Sequence, residues 1–262
     1  MTDLLDKPVS AGETTADQRA HFAAHGWCAA PGFFSAEEAS QIGEWTDELA
    51  SRPERPGDAW VYREPSLTDP TQRVIQRIER FAEHHEGFDR LMRASRLERA
   101  AGELLGGEAV LFKDKINFKM PGGAGFEPHQ DQQAGWSTYA PMFVTGLVCL
   151  DRATTDNGCL EMADAPRLGG LIGEEWVPLS LEQMKAFSLI PVPTEPGDVL
   201  FFDSYAPHAS KPNLTSGQRR ILYLTWNLAS DGDHRDQYYA DKHANFPPDV
   251  EREAGRDYKF RV

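Results

Sequence analysis

Four polar residues in two separated segments of the chain have the types and the spacing of a metal site. His129 and Asp131 stand two positions apart, His208 follows after a long gap, and Arg219 lies eleven positions beyond His208. Side chains two apart on an extended strand point to the same face, so His129 and Asp131 could bind one ion. Two imidazoles and a carboxylate on one face of an octahedral ion leave its other positions open, which suits non-haem Fe(II) that also holds a cosubstrate and O2.

The surroundings of the two histidines favour this interpretation. A His-x-Asp tripeptide by itself is common and more often marks polar residues near a turn. Here a Gly/Pro-rich loop at residues 121–125 leads into it, and His208 follows the apolar strand Val199–Phe202, which the turn Pro196-Gly197-Asp198 opens. This order places His208 at a strand end over a cavity.

Arg219 begins a second strong strand candidate, Arg219–Asn227, which is rich in β-branched and aromatic residues. Alternation places Arg219 and Tyr223 on one face of it. A guanidinium in a partly dry cavity could bind a carboxylate as a planar bidentate pair. The alternative is that Arg219 and Arg220 both flank the turn at residues 216–218 in solvent. Only the offset from His208 favours Arg219 over Arg220.

These segments resemble the phytanoyl-CoA dioxygenase family of Fe(II)/2-oxoglutarate oxygenases, over roughly residues 17–230. The resemblance is carried by His129-Gln130-Asp131, Asn157-Gly158-Cys159-Leu160, Pro196-Gly197-Asp198, His208-Ala209-Ser210 and Arg219. It implies an α+β, mainly β fold: a double-stranded β-helix, that is a cupin-like jelly-roll, buttressed by N-terminal helices.

The resemblance also implies roles for individual residues. His129, Asp131 and His208 would hold Fe(II), and Arg219 and Ser210 would bind the distal carboxylate of the cosubstrate 2-oxoglutarate. With O2, such an enzyme hydroxylates a substrate and releases succinate and CO2. Halogenating relatives lack the carboxylate ligand, so the presence of Asp131 favours hydroxylation, or desaturation as a variant outcome.

The strand predicted over Ala109–Met120 alternates between an apolar and a basic face. The apolar face comprises Val110, Phe112, Ile116, Phe118 and Met120, and the other comprises Leu111, Lys113, Lys115, Asn117 and Lys119. In an ordinary sheet the lysines would face water. In a jelly-roll the apolar face would pack on the helices, and the lysines would point into the cavity mouth.

Three residues are further candidates for the cosubstrate site. Aligned with the family, Lys115 falls where a cosubstrate contact is expected and Arg77 falls at another basic contact, while Asn117 could bond cosubstrate or substrate. Lys115 departs from the family, which usually has an apolar residue there. A cationic pocket favours a small anionic substrate.

The identity of that substrate rests on a weaker resemblance. Residues 112–123 and 238–249 are similar to bacterial family members that hydroxylate phosphonates such as 2-aminoethylphosphonate, although related members modify natural-product intermediates. Two other functions stay open: a Zn-dependent cupin-like hydrolase or isomerase, which has no use for Arg219, and a non-catalytic binding protein.

Composition sets the remaining expectations. The chain has 262 residues, a formal charge of −14 and three cysteines, Cys28, Cys149 and Cys159. The charge argues against nucleic acid and anionic membranes as partners. The sparse cysteines, with no leader-like start and no spanning apolar run, favour the cytoplasm. We expect residues 1–15 to be a flexible tail and residues 16–262 to be one domain. The sequence leaves the oligomeric state open.

Hydrophobic periodicity predicts helices first and a barrel afterwards. The predicted helices are Ala16–Ala24, Ser35–Leu49, Glu79–Arg93 and Arg96–Leu105, with a strand and turn over Trp27–Phe34 between the first two. Ser35 is expected to cap the second helix because acidic residues follow it in the first turn. From Ala109 onward the pattern is one of strands separated by Gly, Pro and Asp.

Overall fold

Two antiparallel sheets form the framework of the protein in a computed structural model that describes residues 13–258. The strands are β1 Trp27–Ala30, β2 Trp60–Pro65, β3 Arg73–Glu79, β4 Ala109–Lys119, β5 Phe126–His129, β6 Phe143–Cys149, β7 Leu160–Asp164, β8 Ser188–Val192, β9 Val199–Asp203, β10 His208–Ser210 and β11 Arg219–Leu228. The larger sheet has the order β1-β9-β6-β11-β4-β3-β2, and the smaller has the order β5-β10-β7-β8. Two facing antiparallel sheets are the arrangement that the jelly-roll prediction requires.

The helices lie mainly before the sheets in sequence, as predicted. They are α1 Ala16–His25, α2 Ala36–Ser51, α3 Glu86–Met92, α4 Arg96–Leu105, α5 Leu181–Met184 and α6 Arg235–Asn245. Ser35 caps α2: its hydroxyl accepts from the Glu38 backbone N–H, and the Glu38 carboxylate accepts from the Ser35 backbone N–H. This reciprocal capping satisfies two backbone donors at the helix start.

Strand alternation separates two cores on either side of the larger sheet. On β11, Leu222, Leu224 and Trp226 pack against the N-terminal helices. Ile221 and Tyr223 point the opposite way, into the space between the two sheets, where they meet residues of β6, β7 and β9. Because Arg219 shares the parity of Ile221 and Tyr223, it too faces the barrel interior.

The alternation of β4 differs from the prediction at two residues. Lys113 pairs with Thr225 and Leu111 pairs with Trp226, so Phe112 is an extra residue in a bulge. Leu111 therefore lies in the helix-side core, whereas Phe112 packs with Trp136 in another cluster. A bulge shifts the strand phase by one residue, which reverses the predicted faces before it. Beyond the bulge the predicted faces are confirmed.

The helix predicted over Glu79–Arg93 is wrong at its beginning. Glu79 ends β3, a 3₁₀ turn covers Ala82–His84, and only Glu86–Met92 is α-helical. Arg80 has a left-handed φ of 52°, which a helix does not continue through. The buried Asp114 carboxylate accepts from the backbone N–H groups of Phe81 and Ala82, so a tertiary contact holds the turn.

The predicted tail lies mostly outside the described residues, which begin at residue 13. Glu13 and Thr14 hydrogen-bond through their backbone N–H groups to the Glu103 carboxylate on α4. The three cysteines are free and buried, as small hydrophobic residues are. Among residues 13–258, no helix combines the length and the apolar character that crossing a bilayer requires.

Candidate metal and cosubstrate site

Pairing between β5 and β10 brings the two histidines of the predicted metal site together. His129 lies directly opposite His208 in the ladder, and their ring centroids are 4.3 Å apart. β5 ends at His129, and Asp131 begins a 3₁₀ turn that returns its carboxylate to the same point. Asp131 Oδ1 lies 3.8 Å from His129 Nε2 and 3.9 Å from His208 Nε2. One ligand atom from each residue lies within 4.8 Å of the other two.

Backbone hydrogen bonds fix the orientation of both rings. His129 Nδ1 donates to the Glu127 carbonyl oxygen at 2.7 Å, and His208 Nδ1 donates to the Ala206 carbonyl oxygen at 3.0 Å. Each Nε2 therefore presents a lone pair towards Asp131, which is the tautomer that a metal ligand needs. Burial, together with the neighbouring His208, lowers the pKa of His129 to about 3.

The carboxylate of Asp131 is kept ionised by its neighbours. Burial alone would raise its pKa, but His208, His129 and Lys115 lower it below the usual value. Two nitrogen donors and an ionised oxygen donor on one side form a set that fits Fe(II).

Gln130 lies between two candidate ligands, but its side chain bonds residues of other loops. Its Nε2 donates to the carbonyl oxygens of Gly170 and Tyr205, and its Oε1 accepts from the Ile172 backbone N–H. Gln130 thus joins the metal-ligand turn to the loop between β7 and β8, and supports the turn without ligating.

Arg219 and Arg220 have opposite environments, which decides between them. Arg219 is 1% exposed, and its Nε and Nη1 have no hydrogen-bond partner within the described residues. Arg220 points outward, where the Asp151 carboxylate accepts two hydrogen bonds from it at 2.8 Å and Asp47 accepts a third. A buried guanidinium with unused donors needs a carboxylate ligand. This observation fits the distal carboxylate of 2-oxoglutarate.

Lys119 is a second cation at that end of the barrel, and the sequence analysis did not assign it a role. It pairs with Arg219 across β4 and β11. Its Nζ donates to Ser210 Oγ at 2.8 Å and to the backbone carbonyl oxygens of Gly158 and Lys211. Burial, together with Arg219, lowers the pKa of Lys119 to about 7. Its position opposite Arg219 in the ladder could have been inferred only from the strand register.

The Asn157-Gly158 turn shapes this pocket. Gly158 has a φ of 74°, and a methyl group there would lie 2.1 Å from the Lys211 carbonyl oxygen and 3.0 Å from Lys119 Nζ. Glycine is therefore required both by the left-handed backbone and by the close approach of Lys119.

Lys115, Asn117 and Tyr223 lie between the metal ligands and Arg219. Tyr223 pairs with Lys115 in the ladder, and the Lys115 Nζ is 4.7 Å from the centre of the Tyr223 ring. Asn117 is buried, and its Oδ1 has no hydrogen-bond partner among the described residues. Burial, together with Lys113, lowers the pKa of Lys115 to about 7.

Lys115 also belongs to a group of five charged residues that we call the basic chamber. The group comprises Arg77, Glu79, Lys113, Lys115 and Lys242. Arg77 Nε donates to Glu79 Oε1 at 2.7 Å, and Lys242 of α6 bonds the other oxygen. The Arg77 guanidinium also stacks 4.2 Å from the centre of the Tyr62 ring. Neither Glu79 nor Lys242 is expected here from the sequence, because the residue pattern places Glu79 within a helix and gives Lys242 no role.

Comparisons with known proteins identify the family of the chain. A sequence model of the phytanoyl-CoA dioxygenase family matches residues 22–221. The 2-aminoethylphosphonate dioxygenase of Uncultured bacterium HF130_AEPn_1 is 36% identical over 245 residues, or 93% of each chain. The methylphosphonate hydroxylase of Gimesia maris is 36% identical over 225 residues, or 84% of each chain.

The fold has solved counterparts. The crystal structure of EctD from S. alaskensis with 2-oxoglutarate and 5-hydroxyectoine has a TM-score of 0.69 at 23% identity, and the match covers 88% of this chain and 82% of EctD. The predicted jelly-roll is thereby confirmed. The chain belongs to the phytanoyl-CoA dioxygenase family and is a non-haem iron dioxygenase that uses 2-oxoglutarate.

Proposed function

We propose that the protein hydroxylates a small phosphonate, with 2-oxoglutarate and O2 as cosubstrates and succinate and CO2 as coproducts. One oxygen atom enters the substrate C–H bond and the other enters succinate, so the oxidation of 2-oxoglutarate balances the reaction. The observation that carries this proposal is the placement of the basic chamber beside the His129–Asp131–His208 group. Two relatives named for phosphonates support the same substrate class.

We propose that His129, Asp131 and His208 hold the iron, which supplies O2 activation and the oxidising power for C–H cleavage. The protein residues orient the reactants around it. The backbone-bonded imidazoles and the supported Asp131 turn keep three ligands on one side, so the opposite positions stay open to 2-oxoglutarate and O2.

We propose that Arg219 and Ser210 bind the distal carboxylate of 2-oxoglutarate. Lys119, which donates to Ser210 Oγ, adds a second cation at this end. Asn117 and Lys115 line the path between this carboxylate and the metal ligands. The role of Arg77 as a cosubstrate contact remains a prediction, and its bond to Glu79 sets it in the wall of the basic chamber.

The zinc hydrolase or isomerase is not favoured. A hydrolytic zinc site needs the three ligands and a water molecule. It gives no reason for a buried guanidinium with unused donors, which Arg219 has within the described structure. An oxygenase that binds a dicarboxylate gives that reason directly.

Succinate formation under air, measured with and without candidate substrates, tests the proposal. We expect methylphosphonate or 2-aminoethylphosphonate to stimulate succinate release and to yield a hydroxylated product by ³¹P NMR and mass spectrometry. Without O2, Fe(II) plus 2-oxoglutarate should give a weak visible charge-transfer band that Zn²⁺ cannot give. Absence of both the band and succinate would contradict the enzyme class, whereas a band without phosphonate turnover would contradict only the substrate class.

A further inference from the structure

We propose that Lys113, with Lys115 and the Tyr238 hydroxyl, forms the binding site for the phosphonate group of the substrate. This inference rests on the proposed function and assigns it to particular residues. The three side chains lie on β4 and α6, and along β4 Lys113 lies further than Lys115 from the Arg219–Lys119 pair.

The first observation concerns the surroundings of the Lys113 ammonium group. Its side chain is buried, at 8% exposure, yet it has no hydrogen bond or ion pair within the described residues. Its Nζ lies 5.2 Å from the centre of the Trp136 ring and 5.7 Å from that of Tyr238. The Glu79 carboxylate acts on it electrostatically, but no anion lies within ion-pair distance of it among the described residues. A buried ammonium without a bonded anion is costly. Other buried cations of the described residues do have a carboxylate partner, as Arg77, Arg235 and Lys242 do.

The second observation concerns the surroundings of the Lys115 ammonium group. Its Nζ likewise has aromatic neighbours, Tyr223 at 4.7 Å and Phe126 at 5.8 Å, and no carboxylate within ion-pair distance in the described part of the chain. Lys113 and Lys115 repel one another, and both interact electrostatically with Asp131. Two ammonium groups that both act on the Asp131 carboxylate match a ligand with two negative charges.

Tyr238 supplies a neutral donor at the same place. Its hydroxyl forms no hydrogen bond within residues 13–258, and it interacts electrostatically with the Asp131 carboxylate. Burial and the nearby carboxylate Glu79 raise the pKa of Tyr238 well above its ordinary value, so the hydroxyl stays protonated and can donate. Two ammonium groups and one hydroxyl give three donors for three phosphonate oxygens.

The position of the site agrees with the chemistry of the smallest candidate. Methylphosphonate has one carbon, so its reacting C–H bonds are one bond away from phosphorus. The phosphonate group must then sit next to the metal ligands, and Lys115 is the lysine whose charge acts on Asp131 most strongly. Lys113 lies beyond it, towards the aromatic cluster of Trp136 and Tyr238.

Direct binding measurements test this assignment without turnover. The dissociation constant of methylphosphonate is measured by isothermal titration calorimetry under anaerobic conditions, on enzyme loaded with Fe(II) and 2-oxoglutarate. We expect Lys113→Met to weaken methylphosphonate binding by about 30-fold or more, because it removes one partner of a buried charge pair. Tyr238→Phe should weaken it by about tenfold, because a hydrogen bond to a charged group is lost. Methanesulfonate, with one charge less, should bind the wild type at least about tenfold more weakly than methylphosphonate.

Two variants serve as controls. Lys113→Arg keeps the charge and should recover most of the affinity. Lys185→Met removes an exposed lysine paired with Glu182, changes the net charge equally, and should leave the affinity within about twofold. The charge-transfer band should show unchanged 2-oxoglutarate affinity in Lys113→Met.

The outcomes separate this inference from the proposed function. If the wild type binds and hydroxylates methylphosphonate but Lys113→Met and Tyr238→Phe bind it equally well, only this inference is overturned. If Lys113→Met loses 2-oxoglutarate affinity instead, Lys113 belongs to the cosubstrate site and the inference is again overturned. If the wild type neither binds nor oxidises any phosphonate, both proposals fail. Tyr238→Phe is a conservative change and remains informative should Lys113→Met fail to fold.

Discussion

At the scale of single residues, the barrel distinguishes neighbours that have the same chemistry. Arg219 and Arg220 are adjacent, yet one ends in the interior with unused donors and the other forms a two-bond pair with Asp151. Lys113, Lys115 and Lys119 stand on one strand, but Lys119 lies beside Arg219 and Lys113 lies beside Trp136. One strand thus places its lysines in different surroundings.

The two arginines give a matched pair of variants. Arg219→Gln should raise the KM for 2-oxoglutarate by about 30-fold or more, because it removes the buried partner of a carboxylate. Arg220→Gln should leave that KM nearly unchanged and lower the free energy of unfolding by about 1–3 kcal/mol, because the Asp151 pair is lost. Steady-state kinetics and urea denaturation measure the two effects. Equal changes of KM in both variants would contradict the assignment of Arg219.

Substitution of Asp131 tests the proposed metal ligands directly. Asp131→Ala removes the anionic ligand between the two imidazoles, so bound iron per chain and succinate formation should both fall strongly. Asp164→Ala removes an exposed carboxylate at the end of β7 and provides the control. Iron content after gel filtration and succinate release are the measurements. A variant that keeps full iron content and the same product would show that Asp131 is not a ligand.

The lowered pKa of Lys119 predicts that cosubstrate binding depends on pH. Its pKa in the folded protein is about 7, below the usual 10.5, because burial and Arg219 disfavour its charge. The charged form that binds a carboxylate is therefore lost as the pH rises through 7, and the dissociation constant of 2-oxoglutarate should increase between pH 6.5 and pH 8.5. Lys119→Met should show weaker binding with a smaller increase, the remainder coming from Lys115. An identical slope in both proteins, measured by anaerobic titration, would contradict this role.

The ammonium group of Lys119 also affects how the free energy of unfolding depends on pH. In the protein without ligands, the unfolded chain binds more protons than the folded chain between pH 7 and about pH 10, because the folded pKa of Lys119 is depressed. The contribution of this group to the free energy of unfolding therefore rises with pH over that window.

At the scale of elements, the close contact between β5 and β10 positions the metal ligands. The loop before β5 reaches β10 at Gly125, where a methyl group would lie 2.4 Å from the Ser210 carbonyl oxygen and 3.0 Å from Lys211. The neighbours are backbone atoms and cannot move aside as a flexible side chain would. The helix α6 closes the other side, because Arg235 bonds Asp114 and Glu83 while Lys242 bonds Glu79.

Gly125→Ala should separate the two strands that carry His129 and His208. We expect a loss of about 1–3 kcal/mol in the free energy of unfolding, as in overpacked sites, together with weaker iron binding. Gly217→Ala is the control, since a methyl group there meets nothing within 4 Å. Thermal unfolding and iron titration measure both effects. Normal iron affinity in Gly125→Ala would show that the ligand geometry does not depend on this contact.

At the scale of the whole molecule, a chain with a formal charge of −14 encloses a group of cations. Arg219 has unused donors in the interior, and Lys113 and Lys115 have no carboxylate within ion-pair distance in the described residues, although Glu79 acts on both lysines electrostatically. Burying uncompensated charges lowers stability, so anionic ligands should act as structural partners as well as reactants.

Ligand-dependent stability follows from this charge distribution. Under anaerobic conditions, Fe(II) with 2-oxoglutarate should give the wild type a higher Tm than Fe(II) alone. At a 2-oxoglutarate concentration 100 times its Kd, binding should add about 2.7 kcal/mol to the free energy of unfolding. Arg219→Gln should show little of this additional shift at the same concentration. Differential scanning calorimetry measures it. A shift of the same size in both proteins would place the cosubstrate away from Arg219.

The sequence by itself determined the candidate metal-ligand set, the helices α1, α2 and α4, and the strands that carry the histidines and Arg219. Each of these follows from local spacing: the two-position offset between His129 and Asp131, a capping residue before α2, and alternation along β11. Local patterns of this kind depend on neighbours within a few positions, which the sequence displays directly.

Only the tertiary structure decided the end of β3 at Glu79, the bulge at Phe112 and the functions open to Lys113 and Lys119. A bulge has no local signature in the residue types, and the turn at Phe81 is held by Asp114, which lies more than thirty residues away. The free energy of burying a charge depends on which distant groups surround it. That is why the sequence could present a row of lysines, while the packed barrel alone determined which groups surround each of them.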